Sequence, residues 1–167
     1  MDTIFAEATA PGRAGVAVVR ISGPHAALGV SSLCELPKTG RYRLSKVCDQ
    51  SGAFIDQGLV LFFEKGASFT GDEVVELHLH GSRAVIYKIL ETLNKIKGFR
   101  LAEAGEFTRR ALENGKLSLS QIEGLADLLD AQTSAQHRQA SRVFSGEFLE
   151  IAEHWRKGLT QIGRAHV

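Results

Sequence analysis

Residues 68–82, SFTGDEVVELHLHGS, limit the possible folds most tightly. Val74, Val75, Leu77 and Leu79 predict a short and largely buried strand. A polar loop, Ser68–Phe69–Thr70–Gly71–Asp72–Glu73, leads into it, and His80–Gly81–Ser82 turn the chain into a helix. Asp72, Glu73, Glu76, His78 and His80 are costly to bury beside so many apolar residues without a partner or a use. Two readings follow. Either the strand has one wet face carrying Glu76, His78 and His80, or a site lies where the strand meets a helix N-terminus, a place suited to an anionic or polar ligand.

The rest of the first 117 residues supplies companions for that strand. Thr3 to Ala8 predicts a first strand, and Pro11–Gly12 with Gly15 breaks the chain into a loop. Val16 to Ser22 is the clearest strand, and Arg20 near its end needs a carboxylate, a phosphate or open solvent. Gly23–Pro24 predicts a helix start, running to about Leu33 and burying Ala27, Leu28 and Leu33. Arg41–Cys48 and Ile55–Phe63 predict a hairpin turning through Asp49–Gly52, with Tyr42, Leu44 and Val47 buried and Leu59–Phe63 central in the sheet. Val85, Ile86, Ile89, Leu90, Leu93 and Ile96 recur at helical spacing over 82–96. A short strand at 99–101 and a short helix over 105–114 complete the unit.

After Lys116 the pattern becomes all helical. Ser118 and Gln121 have the spacing of a capping box. Leu119, Ile122, Leu125 and Leu128–Leu129 form one stripe. Phe144, Phe148, Ile151–Ala152, Trp155, Leu159 and Ile162 form a second. The expectation is an α/β domain, a mixed sheet with helices, over residues 1–117, followed by two helices of a truncated all-helical segment over 118–167. The second stripe has nothing within the chain to cover it, which implies further chain or a partner.

The net charge of +1 excludes a general electrostatic attraction to nucleic acid or membrane, so any such contact must be local. Two cysteines, Cys34 and Cys48, are too few for a disulfide scaffold and predict free thiols in a reducing cytosol. Neither CxxC nor HExxH occurs, so no metal site is expected. No signal peptide or membrane-length apolar run is seen. Gly12–Arg13–Ala14–Gly15 lacks the lysine–serine ending of a phosphate loop, and GxGxxG is absent. No catalytic residue is assigned. Three groups stand out as ligand contacts: Arg20 as a bidentate donor, Glu76 as an acceptor for ring N–H groups, and Lys116 as a point charge. Each has an ordinary surface role as its alternative.

The stretches DTIFAEATAPGRAGVAVVRISGP, SFTGDEVVELHLHG and GEFTRRALENGKLSLSQIEGLADLLDA, in that order and spacing, resemble the N-terminal part of the bacterial tRNA-modifying GTPase family called MnmE or TrmE. The likeness runs over about residues 1–155. It implies a folate-binding and dimerising α/β domain, then the start of a helical domain into which the family inserts its GTPase domain. It also implies a cytoplasmic homodimer that works with the flavoprotein MnmG on tRNA, adding an aminomethyl-type group at C5 of the wobble uridine. By that likeness Arg20, Glu76 and Lys116 match residues that touch the folate, 5-formyltetrahydrofolate or 5,10-methylenetetrahydrofolate. GTP, magnesium and potassium would belong to the longer parent protein, since no Walker motif lies in this chain. The sequence departs from the family pattern at Ser82, where a second glycine is usual, at Ala104, where proline is usual, and at Ser118, where aspartate is usual. Alternatives are a folate-dependent aminomethyltransferase and a docking module with a vestigial pocket.

Overall fold

The computed structural model describes residues 2–164, apart from the side chains of Phe148 and of residues 162–164. Two compact units divide at Lys116/Leu117. The first contains β1 (Thr3–Glu7), β2 (Ala14–Ser22), α1 (Ala26–Ser31), β3 (Tyr42–Cys48), β4 (Phe54–Phe63), β5 (Val74–Gly81), α2 (Arg83–Asn94), β6 (Phe99–Leu101) and α3 (Glu106–Glu113). The second contains α4 (Leu119–Asp130), α5 (Ser134–Phe144) and α6 (Glu147–Arg164). This is the expected mixed α/β sheet followed by a helical segment.

The sheet order is β3-β4-β5-β2-β1-β6. Only the β1–β6 pair is parallel; the other neighbours run antiparallel. Alternation along each strand sets two faces. Phe5, Val19, Ile21, Val60, Val75, Leu77 and Leu79 share one, where they form a core with Ala26 and Val30 of α1 and Ile86, Ile89 and Leu93 of α2. The other face carries Val18, Arg20 and Ser22 of β2, paired with His78, Glu76 and Val74 of β5. Part of it is covered by the 64–73 loop and α3. Thr70 Oγ1 lies 2.7 Å from Ser22 Oγ, and the Phe107 ring of α3 lies over Arg20.

Several expectations need correction. Tyr42 and Leu44 are 74% and 61% exposed, because they lie opposite the α1–α2 face, on the part of the other face left open by the loop and α3. Val47, on the opposite face, is fully buried. Helix α1 starts at Ala26, two residues beyond Pro24, and Leu28 points outward at 73% exposure. Its packing is made instead by Ala26, Gly29 and Val30. A Cβ on Gly29 would stand 2.2 Å from the Phe99 ring, so only glycine permits that approach. The second unit holds three helices where two were expected. Thr133 and Gln136 form a second capping box that opens α5, and Ser145–Gly146 separate α5 from α6. Phe144 therefore ends α5, and the predicted stripe from 144 to 162 does not lie on one helix. The side chains of Phe148 and Ile162, also placed in that stripe, lie outside the described residues.

Ser118 caps α4 as its spacing predicts. Its Oγ accepts from Gln121 N–H at 3.3 Å, and Gln121 Oε1 accepts from Ser118 N–H at 3.0 Å.

Candidate functional site

Glu76 and Arg20 face each other across the β5–β2 ladder, so antiparallel register alone brings together residues far apart in sequence. Arg20 Nε donates to Glu76 Oε1 at 2.8 Å. His78, two residues along the same face, places Nε2 3.2 Å from Glu76 Oε2. All three side chains are partly buried, which strengthens the ion pair relative to one in open water. The guanidinium lies 5.6 Å from the Phe69 ring centre and 5.8 Å from that of Phe107, within cation–π range of both. A carboxylate is thus paired with a guanidinium that lies within reach of two aromatic rings on the half-covered face of the sheet.

The 64–73 loop brings Phe69 to that position, and its own anchors fix it. Ser68 Oγ donates to Asp72 O at 2.5 Å and accepts from Gly71 N–H at 3.0 Å. Asn114 Nδ2 donates to Thr70 O at 2.7 Å. Lys116 Nζ donates to the carbonyl of Gly66. Gly71 has φ of +83°, and a Cβ there would meet Asn114 Cβ at 2.8 Å, so this turn requires glycine twice over. The predicted residues are therefore arranged in two ways. Arg20 and Glu76 touch directly, whereas Lys116 reaches the same loop at Gly66 rather than the pair itself.

Behind the loop lies a charged network. Glu106 is 2% exposed and accepts from Arg100 Nη2 at 2.6 Å, Arg100 Nη1 at 2.8 Å, Arg110 Nη2 at 3.1 Å and Glu103 N–H at 2.9 Å. Arg100 holds its pKa down at about 2, against the opposing effect of burial and with help from Glu103 N–H and Arg110. Asp2 accepts from Arg100 and, at 3.0 Å, from Arg110. Asp72 Oδ2 is buried without a hydrogen bond and stands 3.8 Å from Arg110 Nη1, an ionic but not a hydrogen-bonded separation.

Sequence reasoning set His78 on the face of Glu76 but missed Phe69, Phe107 and Asn114 as neighbours of the site. The signal for Phe69 was present, since an aromatic residue inside a polar glycine-bearing loop has no core of its own to enter. Phe107 and Asn114 had none, because they belong to a short helix and its end whose docking depends on tertiary structure. Among the described residues no group of three or more His, Cys, Asp or Glu is placed to hold a metal ion. Cys34 is buried, Cys48 half-buried, and both are free thiols. No helix among the described residues is long and apolar enough to cross a membrane.

Comparison with known proteins places the chain in a family. The family described as GTP-binding protein TrmE N-terminus matches residues 3–116. Proteins named tRNA modification GTPase MnmE are similar over nearly the whole chain: 52% identical in Cereibacter sphaeroides, 54% in Roseobacter denitrificans and 50% in Parvibaculum lavamentivorans. Each alignment covers 95% of this chain but only 37% of the relative, so the chain spans little more than a third of their length. The chain belongs to the MnmE (TrmE) family of tRNA modification GTPases, corresponding to its N-terminal region.

Proposed function

We propose that residues 1–116 bind a reduced folate, 5-formyltetrahydrofolate or 5,10-methylenetetrahydrofolate, for a tRNA-modifying GTPase. The observation that carries the reading is the Arg20–Glu76 pair, with Phe69 and Phe107 both near the Arg20 guanidinium. Its donor set suits such a group. An ionised carboxylate offers about four acceptor positions, so Glu76 can receive ring N–H donors while keeping Arg20. Phe69 and Phe107 supply flat apolar surface for a heterocycle. Arg20 and Lys116 supply positive charge for the folate's carboxylates, and Lys116, with three donors, can serve a ligand without releasing Gly66. When bound, the folate supplies a one-carbon unit. The protein's residues hold and orient it.

The remainder of the reading rests on family membership. The parent protein, in the cytoplasm, acts as a homodimer with the flavoprotein MnmG to place an aminomethyl-type group at C5 of the wobble uridine in tRNA, and its GTP, magnesium and potassium belong to a domain outside this chain. The uncovered sheet face, with Tyr42, Leu44 and Leu59 exposed, supports pairing of two copies.

Calorimetric titration with 5-formyltetrahydrofolate tests the site. Glu76→Gln should weaken binding by about 1.5–3 kcal/mol, because an amide replaces a charged acceptor. Lys116→Ala should cost less, and its effect should shrink as salt rises. Wild-type affinity in both folded variants would refute the assignment.

A further inference from the structure

The far end of β5 carries a second cluster of polar side chains, around His80, that the folate reading leaves unused. His80 is the least buried residue of the strand, its side chain 72% exposed, yet it does not swing freely. Asp56 of β4 holds it from behind. Its Oδ2 accepts the His80 backbone N–H at 2.8 Å, while Nδ1 of the ring stands 2.9 Å from Oδ1 and 3.1 Å from Oδ2. Burial pushes the Asp56 carboxyl up, and the His80 N–H, its ring and the Gln57 N–H together outweigh that, leaving it below the ordinary aspartate value. An ionised, largely buried carboxylate thus fixes an exposed imidazole in one orientation, with Nδ1 committed and Nε2 left toward solvent.

The ring borders a depression lined by Arg13, Ala14, Gly15, Gly81, Ser82 and Arg83. Arg13 and Arg83 are exposed, and neither makes an ion pair among the described residues. No carboxylate lines the depression, and Asp56, behind His80, has both oxygens engaged with that residue. The lining of the depression includes the small residues Ala14, Gly15 and Gly81, and a Cβ on Gly81 would stand 2.5 Å from Ala14 O. Two unpaired guanidiniums and an oriented imidazole therefore converge where side chains leave room. Like charges gathered without a counter-ion repel one another, and a bound anion relieves that repulsion. A metal cation is disfavoured by the same two arginines.

We propose that Arg13, His80 and Arg83 form a second site, which takes a phosphate-type oxyanion. Guanidinium groups match two phosphate oxygens at once, and Nε2 meets a third position, donating when protonated and accepting from a phosphate hydroxyl when neutral. The phosphate can come from a free small molecule or from the backbone of a nucleic acid, and either offers the same oxygens.

Titration of the isotope-labelled chain, followed by amide NMR, tests this with two probes: inorganic phosphate, and a short single-stranded RNA without terminal phosphates. Saturable shifts are expected at 13–15 and 80–83. The double variant Arg13→Gln, Arg83→Gln should weaken them roughly tenfold or more, and His80→Gln by a smaller factor. Shifts with inorganic phosphate alone identify a small-molecule source, and shifts with the RNA at the same residues identify a phosphodiester source. The proposal is overturned if neither probe shifts those residues, if shifts spread over the basic surface without saturating, or if the folded double variant binds as the parent does. The readout is local to the start of β2, the end of β5 and the start of α2, so it stands whether or not 5-formyltetrahydrofolate binds at Glu76.

Discussion

Glu106 is an ionised carboxylate with almost no access to water. Its pKa falls from the ordinary 4.5 to about 2 because Arg100, Arg110 and Glu103 N–H all favour the charged form. A folded value below the unfolded one adds stability that is complete above the unfolded pKa and is lost as pH falls through the folded one. The first unit should therefore lose about 2–3 kcal/mol between roughly pH 5 and pH 2 from this group, the lower figure allowing for the partial exposure of Arg100. Urea denaturation across that range in wild type and Glu106→Gln reads it out: the variant should start less stable and show a flatter dependence on pH. Gly71→Ala should cost about 1–2 kcal/mol for its left-handed backbone alone, more with the Asn114 contact, and should also loosen the loop that carries Phe69. Thermal melts and folate titration together measure both effects. At this scale Arg20 and Glu76 were legible because charge in an apolar strand demands a partner. The buried Glu106 was not, since its two arginines come from a strand and a helix that only the tertiary fold brings together.

Among the elements, those with strong periodicity or a cap were readable and those fixed by packing were not. Helix α2 and the Ser118 capping box follow directly from spacing. The separate α5 escaped because the two apolar stripes leave residues 130–143 unassigned, though Thr133 and Gln136 carry the same capping signature. Helix α1, only six residues long, is set less by Pro24 than by the fit of Gly29 against Phe99. The caps give a clean comparison. Ser118→Ala and Thr133→Ala should each destabilise the helical unit by about 1 kcal/mol, seen as lower helical circular dichroism at intermediate temperature, whereas Ser118→Asp should leave it unchanged.

For the molecule as a whole, the uncovered sheet face is where sequence and structure part most clearly. Tyr42 and Leu44 look like core residues because they alternate in a strand with apolar partners, but alternation fixes only a shared face and not what covers it. If two copies meet there, sedimentation of the full chain at micromolar concentration should show a dimer, and Tyr42→Lys with Leu44→Lys should give a folded monomer. A dimer that survives both changes would move the interface elsewhere.

The parallel pairing of β1 with β6 sets an order of events during synthesis. Thr3 lies opposite Phe99, and Asp2 is held by Arg100 and Arg110. The first strand to leave the ribosome must wait for almost the whole unit before its outer edge is closed, and contacts of such long sequence separation form late. Phe107, Asn114 and Lys116 emerge later still, so the 64–73 loop reaches its anchored position only at the end. A nascent chain stalled before Phe99 can pair β2 with β5 and join Arg20 to Glu76, but it lacks Phe107, the second ring beside the guanidinium. Protease sensitivity of stalled chains should therefore drop in two steps, first as β5 emerges and again after Lys116.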